Sequence, residues 1–412
     1  MRWIPSFFAL SLSALTFTIS CPAFAGDLPQ LEQKLNGPMD ALLKKESGRE
    51  RIGFEGDFKA LQKKSCDTCG SYRLHVPKHV KRDTFMDLTL TFNNNKPVLK
   101  GRMLNATQKQ LLAEKVKAAY GSVDMSGVET FPFSSIGNDY AVANKKAVNL
   151  YVKPVAKAGD NLATQMRLGM GMQILDLSSD QKFALVRLAD DGYIAWVERK
   201  DIKEGNFSWY KEWENNQQVL YIAESPRVHY GTRLKLVEEM KKSILAEFPD
   251  GKTVLIPKTD ARVHNSTNLP TPEAILKTAK QYLPKGTHGG GKYLWGGTLG
   301  KRLDCSGFVQ TTYRMNGVFL PRDADQQKGF TQRVGNTLAQ LNELKPGDLV
   351  FFSGHRKYPT HVGIYIGDNK VIHSSSKGPY NGVKVSTLVG GGKYDKYLQK
   401  IYFGGGRVVR SL

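Results

Sequence analysis

The sequence predicts an α+β protein made of several units in a row. From about residue 135 the chain changes to short apolar strands separated by turn residues, which is typical of small β-barrels. From about residue 266 helical patterns come first and a run of strands follows, and this separation of helices and strands is typical of α+β domains. The 412 residues are enough for about two to four domains.

The N-terminus has the pattern of an export signal. Arg2 supplies a positive charge, residues 7–19 are apolar, and Ala-Phe-Ala at 23–25 is a cleavage pattern, so we expect residues 1–25 to be removed. Lipidation of Cys21 is the alternative. The apolar run is too short for a dependable membrane span, and no other stretch of the chain is long and apolar enough to be one. We expect an exported protein of the periplasm or the extracellular envelope, with no membrane span.

Residues 26–134 form a mixed region to which the sequence assigns no chemistry. The pattern predicts a helix over 108–121 and strands on both sides of the turn at 93–95. Cys66 and Cys69 are spaced for a local disulfide in an oxidising compartment, and a metal-binding pair is the alternative. With Cys21 removed, Cys305 has no partner and is a candidate reactive thiol.

Two stretches of short strands follow. Residues 135–204 predict one small barrel, which resembles a bacterial SH3-like barrel. In residues 205–265 the same order of strands recurs with a weaker pattern. This pattern indicates either a second barrel or an unrelated β-rich segment.

Cys305 follows a glycine-rich turn and begins a helical pattern. Asp304 is a natural N-cap, which places the cysteine in the first turn. Exposed N–H groups and the helix dipole would stabilise a thiolate there. The Asp304 charge acts in the opposite direction, because a neighbouring negative charge raises the pKa of a cysteine. A packed, inert cysteine is the alternative.

Two histidines lie on one predicted hairpin. His361 and His373 are symmetric about residue 367, inside the turn, so both side chains project from the same face. One imidazole could take the proton of Cys305 while the second orients the first, which predicts acyl transfer, such as hydrolysis of an amide. A zinc site of the same three residues is the alternative, but it lacks a clear fourth ligand. We therefore predict no metal and no cofactor.

Five motifs of the C-terminal region then match a family in order. They are YLWGGTLGKRLDCSGFVQ, LPRDADQQ, LKPGDLVFF, HVGIYIG and VIHSS, and within 266–412 they resemble the NlpC family of papain-like cell-wall cysteine peptidases. The preceding barrels resemble the SH3 domains of members that are gamma-D-glutamyl-L-diamino acid endopeptidases. The resemblance implies a papain-like catalytic domain after one or two SH3-like barrels. It also implies cleavage between γ-D-Glu and the diamino acid of peptidoglycan stem peptides or murein fragments.

The resemblance also implies roles for the residues that match its motifs. Cys305 would be the nucleophile, His361 the general base and His373 the orienting third member. Tyr293 would lie beside the oxyanion, although ordinary packing is the alternative.

A pocket for the free amine of an N-terminal L-Ala is implied as well. Asp304 and Ser306 would receive the amine, and Tyr193 from the barrel would close the pocket. Alternatively, Asp304 is only the N-cap, Ser306 is only a hydroxyl at the helix start, and Tyr193 is a core residue of the barrel or part of its hairpin. Arg322 and Gln326 match a motif and would give structural support.

The charge restricts the classes of partner. The chain has 59 Lys and Arg against 38 Asp and Glu, a net charge of +21, which suits an anionic polymer. It lacks zinc-finger and RNA-binding signatures, so nucleic acid is not an expected partner. A silent peptidoglycan-binding protein and an NlpC-fold amidase or acyltransferase are the competing functions. The sequence predicts no oligomeric state.

Overall fold

The computed structural model describes residues 72–75, 82–94, 96–134, 136–263 and 270–409. The predicted signal peptide and the cysteines Cys21, Cys66 and Cys69 lie outside these residues. In the described part of the chain, no helix has both the length and the apolar character needed to cross a membrane.

In the described residues, the N-terminal unit is a four-stranded sheet with one helix. Its strands are β1 (Tyr72–His75), β2 (Met86–Asn93), β3 (Lys96–Met103) and β4 (Asp124–Thr130), and α1 (Ala106–Tyr120) joins β3 to β4. The strands lie in chain order, and β3 and β4 are parallel, which the crossover helix permits. Asn105 caps α1 by accepting from the Gln108 N–H, and Gly121, at φ 77°, ends it. The predicted helix over 108–121 is confirmed.

A seven-stranded unit follows. Its strands are β5 (Tyr140–Ala143), β6 (Ala147–Tyr151), β7 (Leu162–Arg167), β8 (Gly171–Leu177), β9 (Phe183–Leu188), β10 (Ile194–Glu198) and β11 (Ile202–Gly205). They lie in the order β11-β5-β8-β9-β10-β6-β7, and neighbours are antiparallel. Alternate residues of these short strands are apolar and form one buried core, which includes Val148, Met166, Ile174 and Val186.

A five-stranded unit comes next, after the helix α2 (Phe207–Asn215). Its strands are β12 (Val219–Tyr221), β13 (Arg233–Glu239), β14 (Ser243–Glu247), β15 (Thr253–Pro257) and β16 (Ala261–Val263), in the order β15-β14-β13-β12-β16. Its core is continuous with that of the N-terminal and seven-stranded units.

The described residues of the C-terminal unit form four α-helices and two sheets. The helices are α3 (Pro272–Lys280), α4 (Cys305–Arg314), α5 (Ala324–Phe330) and α6 (Lys393–Lys400). A short hairpin consists of β17 (Thr298–Leu299) and β18 (Arg302–Leu303). The main sheet contains β19 (Gln332–Val334), β20 (Leu349–Phe352), β21 (His361–Gly367), β22 (Lys370–Ser375), β23 (Gly382–Thr387) and β24 (Tyr402–Arg407), in the order β19-β24-β20-β21-β22-β23. Three of the four helices precede the strands of this antiparallel sheet in the chain instead of alternating with them, so the predicted α+β class is confirmed.

The helix α4 lies against the main sheet because the two share an apolar core. Phe308 and Val309 of α4 are fully buried with Val362 and Ile364 of β21. Full burial of one such side chain contributes about 1.5–3 kcal/mol. These contacts fix the first residue of α4 beside the first residues of β21.

Candidate active site

Cys305 is the first residue of α4, and the residue is only 7% exposed. Asp304 caps the helix, and its Oδ1 accepts from the Gly307 N–H at 2.6 Å. The N–H groups of Ser306 and Val362 donate to the cysteine sulfur and favour the thiolate. Burial and then the Asp304 charge nevertheless raise the pKa of the thiol to about 12. Burial therefore outweighs the stabilisation of the thiolate that is expected from the helix start.

His361 and His373 lie on neighbouring strands with their side chains on one face of the hairpin, as predicted. The register of β21 and β22 places them one diagonal step apart. Nε2 of His361 is 2.8 Å from Nδ1 of His373, and Nε2 of His373 is 3.2 Å from the Ser386 hydroxyl on β23. Gly363 permits this approach, because a Cβ there would lie 2.9 Å from the Cβ of His373.

The histidine pair and the thiol are adjacent. Val362, whose N–H donates to Cys305, directly follows His361 in the chain. Since Nε2 of His361 is hydrogen-bonded to His373, Nδ1 of His361 is the nitrogen left for the thiol. A base held by a second polar group and next to a thiol is the arrangement that nucleophilic catalysis needs.

Both imidazoles are neutral near pH 7. Burial, followed by the charges of Lys384 and Lys377, lowers the pKa of His361 to about 4. The fully buried His373 also has a pKa well below its ordinary value, because of burial and then the effects of His361 and Lys384. His361 can therefore accept a proton from the thiol.

Sequence reasoning missed two residues beside this pair, Lys384 and Ser386. Lys384 lies opposite His373 in the pairing of β22 with β23, and its ammonium donates to the Ser375 carbonyl at 3.0 Å. The sequence did contain a signal for them. Lys384 and Ser386 are two positions apart on β23, the strand after β22, so their side chains share a face.

Tyr293 lies at the thiol. Its hydroxyl forms a hydrogen bond with Cys305, and its N–H donates to Asn381 at 2.9 Å. Burial and then the neighbouring cysteine raise the pKa of the phenol, so it remains a hydrogen-bond donor. This position suits the predicted role beside an oxyanion.

Asp304 and Ser306 are buried and lie together, but Asp304 is already paired. The Arg322 guanidinium donates to both carboxylate oxygens of Asp304, at 2.6 and 3.2 Å, and to the Ser306 hydroxyl at 2.9 Å. Arg322 is thus a charge partner of Asp304 within the chain, and the predicted role of Asp304 in receiving a substrate amine stays a prediction. The supporting role expected of Arg322 is confirmed by these contacts.

Tyr193 is buried in the core of the seven-stranded unit, which agrees with the alternative that it is a core residue of the barrel. Its phenol also lies among the charges of Asp323, Arg82 and Arg322, and burial followed by Asp323 raises its pKa. The structure therefore brings Tyr193 to the network that contains Arg322.

The zinc alternative has no support in the described part of the chain. No group of three or more His, Cys, Asp or Glu side chains there could hold a metal ion. His373 already uses both ring nitrogens, toward His361 and Ser386.

Two family models match the chain. The NlpC/P60 family model matches residues 290–402, and the bacterial dipeptidyl-peptidase SH3 domain model matches residues 152–202. The predicted peptidase and SH3-like barrel are thereby confirmed as parts of the fold, whereas a second barrel in 205–265 stays a prediction.

Curated relatives and a solved structure agree with these matches. The gamma-D-glutamyl-L-lysine dipeptidyl-peptidase of Bacillus cereus is 31% identical over 250 residues, which cover 56% of this chain and 72% of the relative. A probable endopeptidase, an NlpC homolog of Haemophilus influenzae, is 32% identical over 37% of this chain and 70% of its own length. The crystal structure of an NlpC/P60 family protein from Bacillus cereus is 25% identical with a TM-score of 0.52, covering 65% of this chain and 99% of that one. The chain therefore belongs to the NlpC/P60 family of cell-wall peptidases and is a cysteine peptidase.

Proposed function

We propose that this peptidase cleaves the bond between γ-D-Glu and the diamino acid of peptidoglycan stem peptides that begin with a free L-Ala. The observation that carries the proposal is the buried Cys305 beside the hydrogen-bonded pair of His361 and His373. The name of the Bacillus cereus relative, a gamma-D-glutamyl-L-lysine dipeptidyl-peptidase, supports the choice of bond.

In the first half of the reaction, Cys305 attacks the γ-carbonyl carbon of D-Glu. Because burial favours the neutral thiol and the neutral imidazole, the proton moves to Nδ1 of His361 as the C–S bond forms. The Tyr293 hydroxyl and backbone N–H groups at the start of α4 stabilise the oxyanion. The imidazolium then gives its proton to the departing amine of the diamino acid, which leaves a thioester on Cys305.

Water completes the second half. His361 takes a proton from water as the hydroxide attacks the thioester carbon, and the thiolate leaves and regains a proton from the imidazolium. The products are L-Ala-D-Glu and a peptide or amino acid with a new diamino-acid amine.

The amine of L-Ala is received beside Asp304 and Ser306. The oxygens of Asp304 already accept hydrogen bonds from Arg322, Gly296 and Gly307. Asp304 therefore attracts the ammonium through its negative charge. The Ser306 hydroxyl donates to Asp304 and accepts from Arg322, and it keeps a lone pair for the ammonium. Tyr193 closes this end of the pocket.

The site of action follows from the substrate. Peptidoglycan lies outside the cytoplasm, so the enzyme acts in the periplasm or the extracellular envelope after removal of residues 1–25. The net charge of +21 suits an anionic envelope.

Product analysis tests the proposal. Purified wild type and Cys305→Ala are each given L-Ala-γ-D-Glu-diaminopimelate and its lysine counterpart, and products are identified by mass spectrometry. We expect wild type to release L-Ala-D-Glu with the diamino acid, and Cys305→Ala to release neither. Release of a lactate-linked sugar from a muropeptide, or transfer of an acyl group, would instead support an amidase or acyltransferase.

A further inference from the structure

The histidine pair continues toward the surface as a stack of aromatic rings. The ring of Tyr394 on α6 stacks on that of His373, with centroids 6.1 Å apart and planes 17° apart. Tyr397 stacks on Tyr394 in turn, at 6.2 Å and 26°. The two tyrosines share a face because residues three apart are neighbours on a helix. Tyr394 is partly buried and Tyr397 is exposed, so the stack of these three rings, which we call the aromatic ladder, leads from His373 to solvent.

Two lysines lie along the aromatic ladder. Nζ of Lys384 is 5.3 Å from the ring centre of Tyr394, and Nζ of Lys377 is 5.8 Å from the ring centre of Tyr397. An ammonium is attracted by the electron-rich face of an aromatic ring. Lys384 is therefore the inner cation of the ladder, and Lys377 is the outer one.

The two cations are held differently. Lys384 is buried and donates to the carbonyl of Ser375, at 3.0 Å, and to the carbonyl of Lys377. Most of its hydrogen-bonding capacity therefore serves to hold the loop 376–381, between β22 and β23. Lys377 is exposed, and among the described residues no carboxylate forms an ion pair with either ammonium. The outer cation is thus available to a substrate.

The loop 376–381 borders the thiol. The side chain of its last residue, Asn381, accepts the N–H of Tyr293 at 2.9 Å. The hydroxyl of Tyr293 in turn forms a hydrogen bond with Cys305. Since the loop is tied to a residue that contacts the thiol, Lys377 stands in a wall of the active site and not on a remote surface.

The positions of the two cations indicate which part of the substrate they meet. The charges of Lys384 and Lys377 act on the imidazole of His361, and together with burial they lower its pKa. In the proposed reaction His361 protonates the departing amine, so the diamino acid lies beside His361. The L-Ala end of the substrate lies instead beside Asp304, whose charge partner is Arg322. The two lysines therefore face the diamino acid.

We propose that Lys377 is a specificity-determining residue that binds the carboxylate at the far end of the diamino acid's side chain, so that the enzyme prefers diaminopimelate to lysine. The inference rests on the proposed function, which places the diamino acid beside His361 but leaves its identity open. Diaminopimelate ends in a carboxylate beside an ammonium, and the carboxylate pairs with Lys377. Lysine ends in an ammonium alone, which both cations repel.

The order of the two cations decides which carboxylate is bound. The α-carboxyl group of the diamino acid adjoins the bond that breaks, and its neighbour is the inner cation Lys384, which already donates to two carbonyls. The far end of the side chain reaches the outer cation Lys377 instead. The methylene groups in between pack along the rings of Tyr394 and Tyr397.

Three peptides and three variants of the full-length protein test the inference. The peptides are L-Ala-γ-D-Glu-diaminopimelate, its lysine counterpart, and the diaminopimelate peptide with an amide in place of the distal carboxylate. Lys377→Met removes the charge and keeps an unbranched side chain, whereas Lys377→Arg keeps the charge. Lys370→Met is the matched control, because Lys370 is an exposed lysine at the opposite end of β22.

We expect wild type to prefer the diaminopimelate peptide to the lysine peptide by about fivefold or more in kcat/KM, mainly through KM, and to cut the amidated peptide like the lysine one. Lys377→Met should lower this preference to below about twofold, whereas Lys377→Arg and Lys370→Met should keep it. High salt screens exposed charges, so it should weaken the preference of wild type and leave that of Lys377→Met unchanged. An effect of the variants on His361 is shared by all three peptides and cancels in the ratio.

The outcomes separate this inference from the proposed function. Equal kcat/KM values of wild type for the diaminopimelate and lysine peptides, or for the acid and its amide, would overturn the inference and leave the proposed function standing. An unchanged preference in Lys377→Met would do the same. The amide comparison uses wild type alone, so it decides the inference even if Lys377→Met does not fold. If wild type cuts none of the peptides, the proposed function fails, and the inference fails with it.

Discussion

Nε2 of His361 lies 2.8 Å from Nδ1 of His373, and this contact fixes which nitrogen of His361 is left to face Cys305. For Nδ1 of His361 to act as a base, Nε2 must carry the hydrogen and donate it to His373. His373 must then donate from its own Nε2 to Ser386, at 3.2 Å. The order of these three side chains therefore sets one tautomer for the whole site.

Replacement of His373 tests this orientation. His373→Ala leaves His361 free to rotate and to change tautomer, so we expect kcat to fall by about 10²–10⁴ with little change in KM. His373→Asn offers an amide oxygen to Nε2 of His361, and should retain more activity than the alanine variant. Steady-state kinetics on the tripeptide measures both. Equal losses in the two variants would contradict an orienting role.

The pH profile tests the electrostatics of His361. Burial and two lysines lower its pKa to about 4, so the imidazole is neutral and basic above that pH and protonated below it. We expect kcat/KM to fall with decreasing pH through a midpoint near 4, and to be flat between about 5 and 7. Lys384→Gln removes one of the two charges and should move the midpoint upward. A midpoint near 6.5 in wild type would refute a desolvated base.

The hydroxyl of Tyr293 is the subject of a third prediction. Tyr293→Phe removes a donor at Cys305, so we expect kcat to fall by about ten- to a hundredfold with KM unchanged. Tyr313→Phe is the matched control, since that hydroxyl is buried in the same unit but donates to the Gly347 carbonyl. The control should lose stability rather than kcat. Equal kcat in Tyr293→Phe and wild type would exclude a role for this hydroxyl at the oxyanion.

The ion pair of Arg322 and Asp304 predicts a large effect on stability. Arg322→Met leaves a buried carboxylate without its partner, which costs about 3–5 kcal/mol. Adding Asp304→Asn should recover part of that loss. Arg199→Met breaks a partly exposed pair with Glu204 and should cost less than about 1 kcal/mol. Urea unfolding measures all of these variants, and a similar cost for the two arginines would mean that Asp304 does not depend on Arg322.

The sequence was sufficient to place Cys305 at a helix start and the two histidines together, because this geometry is local. A helix start fixes where Cys305 lies, and the period of a β-strand puts His361 and His373 on one face of a hairpin. The short strands of the first barrel were predictable for the same reason, since strands separated by turn residues are a local pattern, whereas its SH3-like character came from a resemblance.

Contacts between distant parts of the chain could not be predicted in this way. Arg82 binds Asp323 across 241 positions of sequence, and no periodic pattern connects the two. The Arg322 contact with Asp304 spans 18 positions and depends on how α5 packs on α4. The pKa of Cys305 was expected to be lowered by the helix start, but the thiol's burial, which only the packed fold reveals, raises it.

The most direct test of the central claim is the mass of the protein during turnover. Wild type and His373→Ala are mixed with L-Ala-γ-D-Glu-diaminopimelate, quenched with acid within one turnover, and examined as intact protein and as peptides. We predict one added L-Ala-γ-D-glutamyl group, located on the peptide that contains Cys305. Product formation with the adduct on another residue, or with a different acyl group on Cys305, would contradict the account.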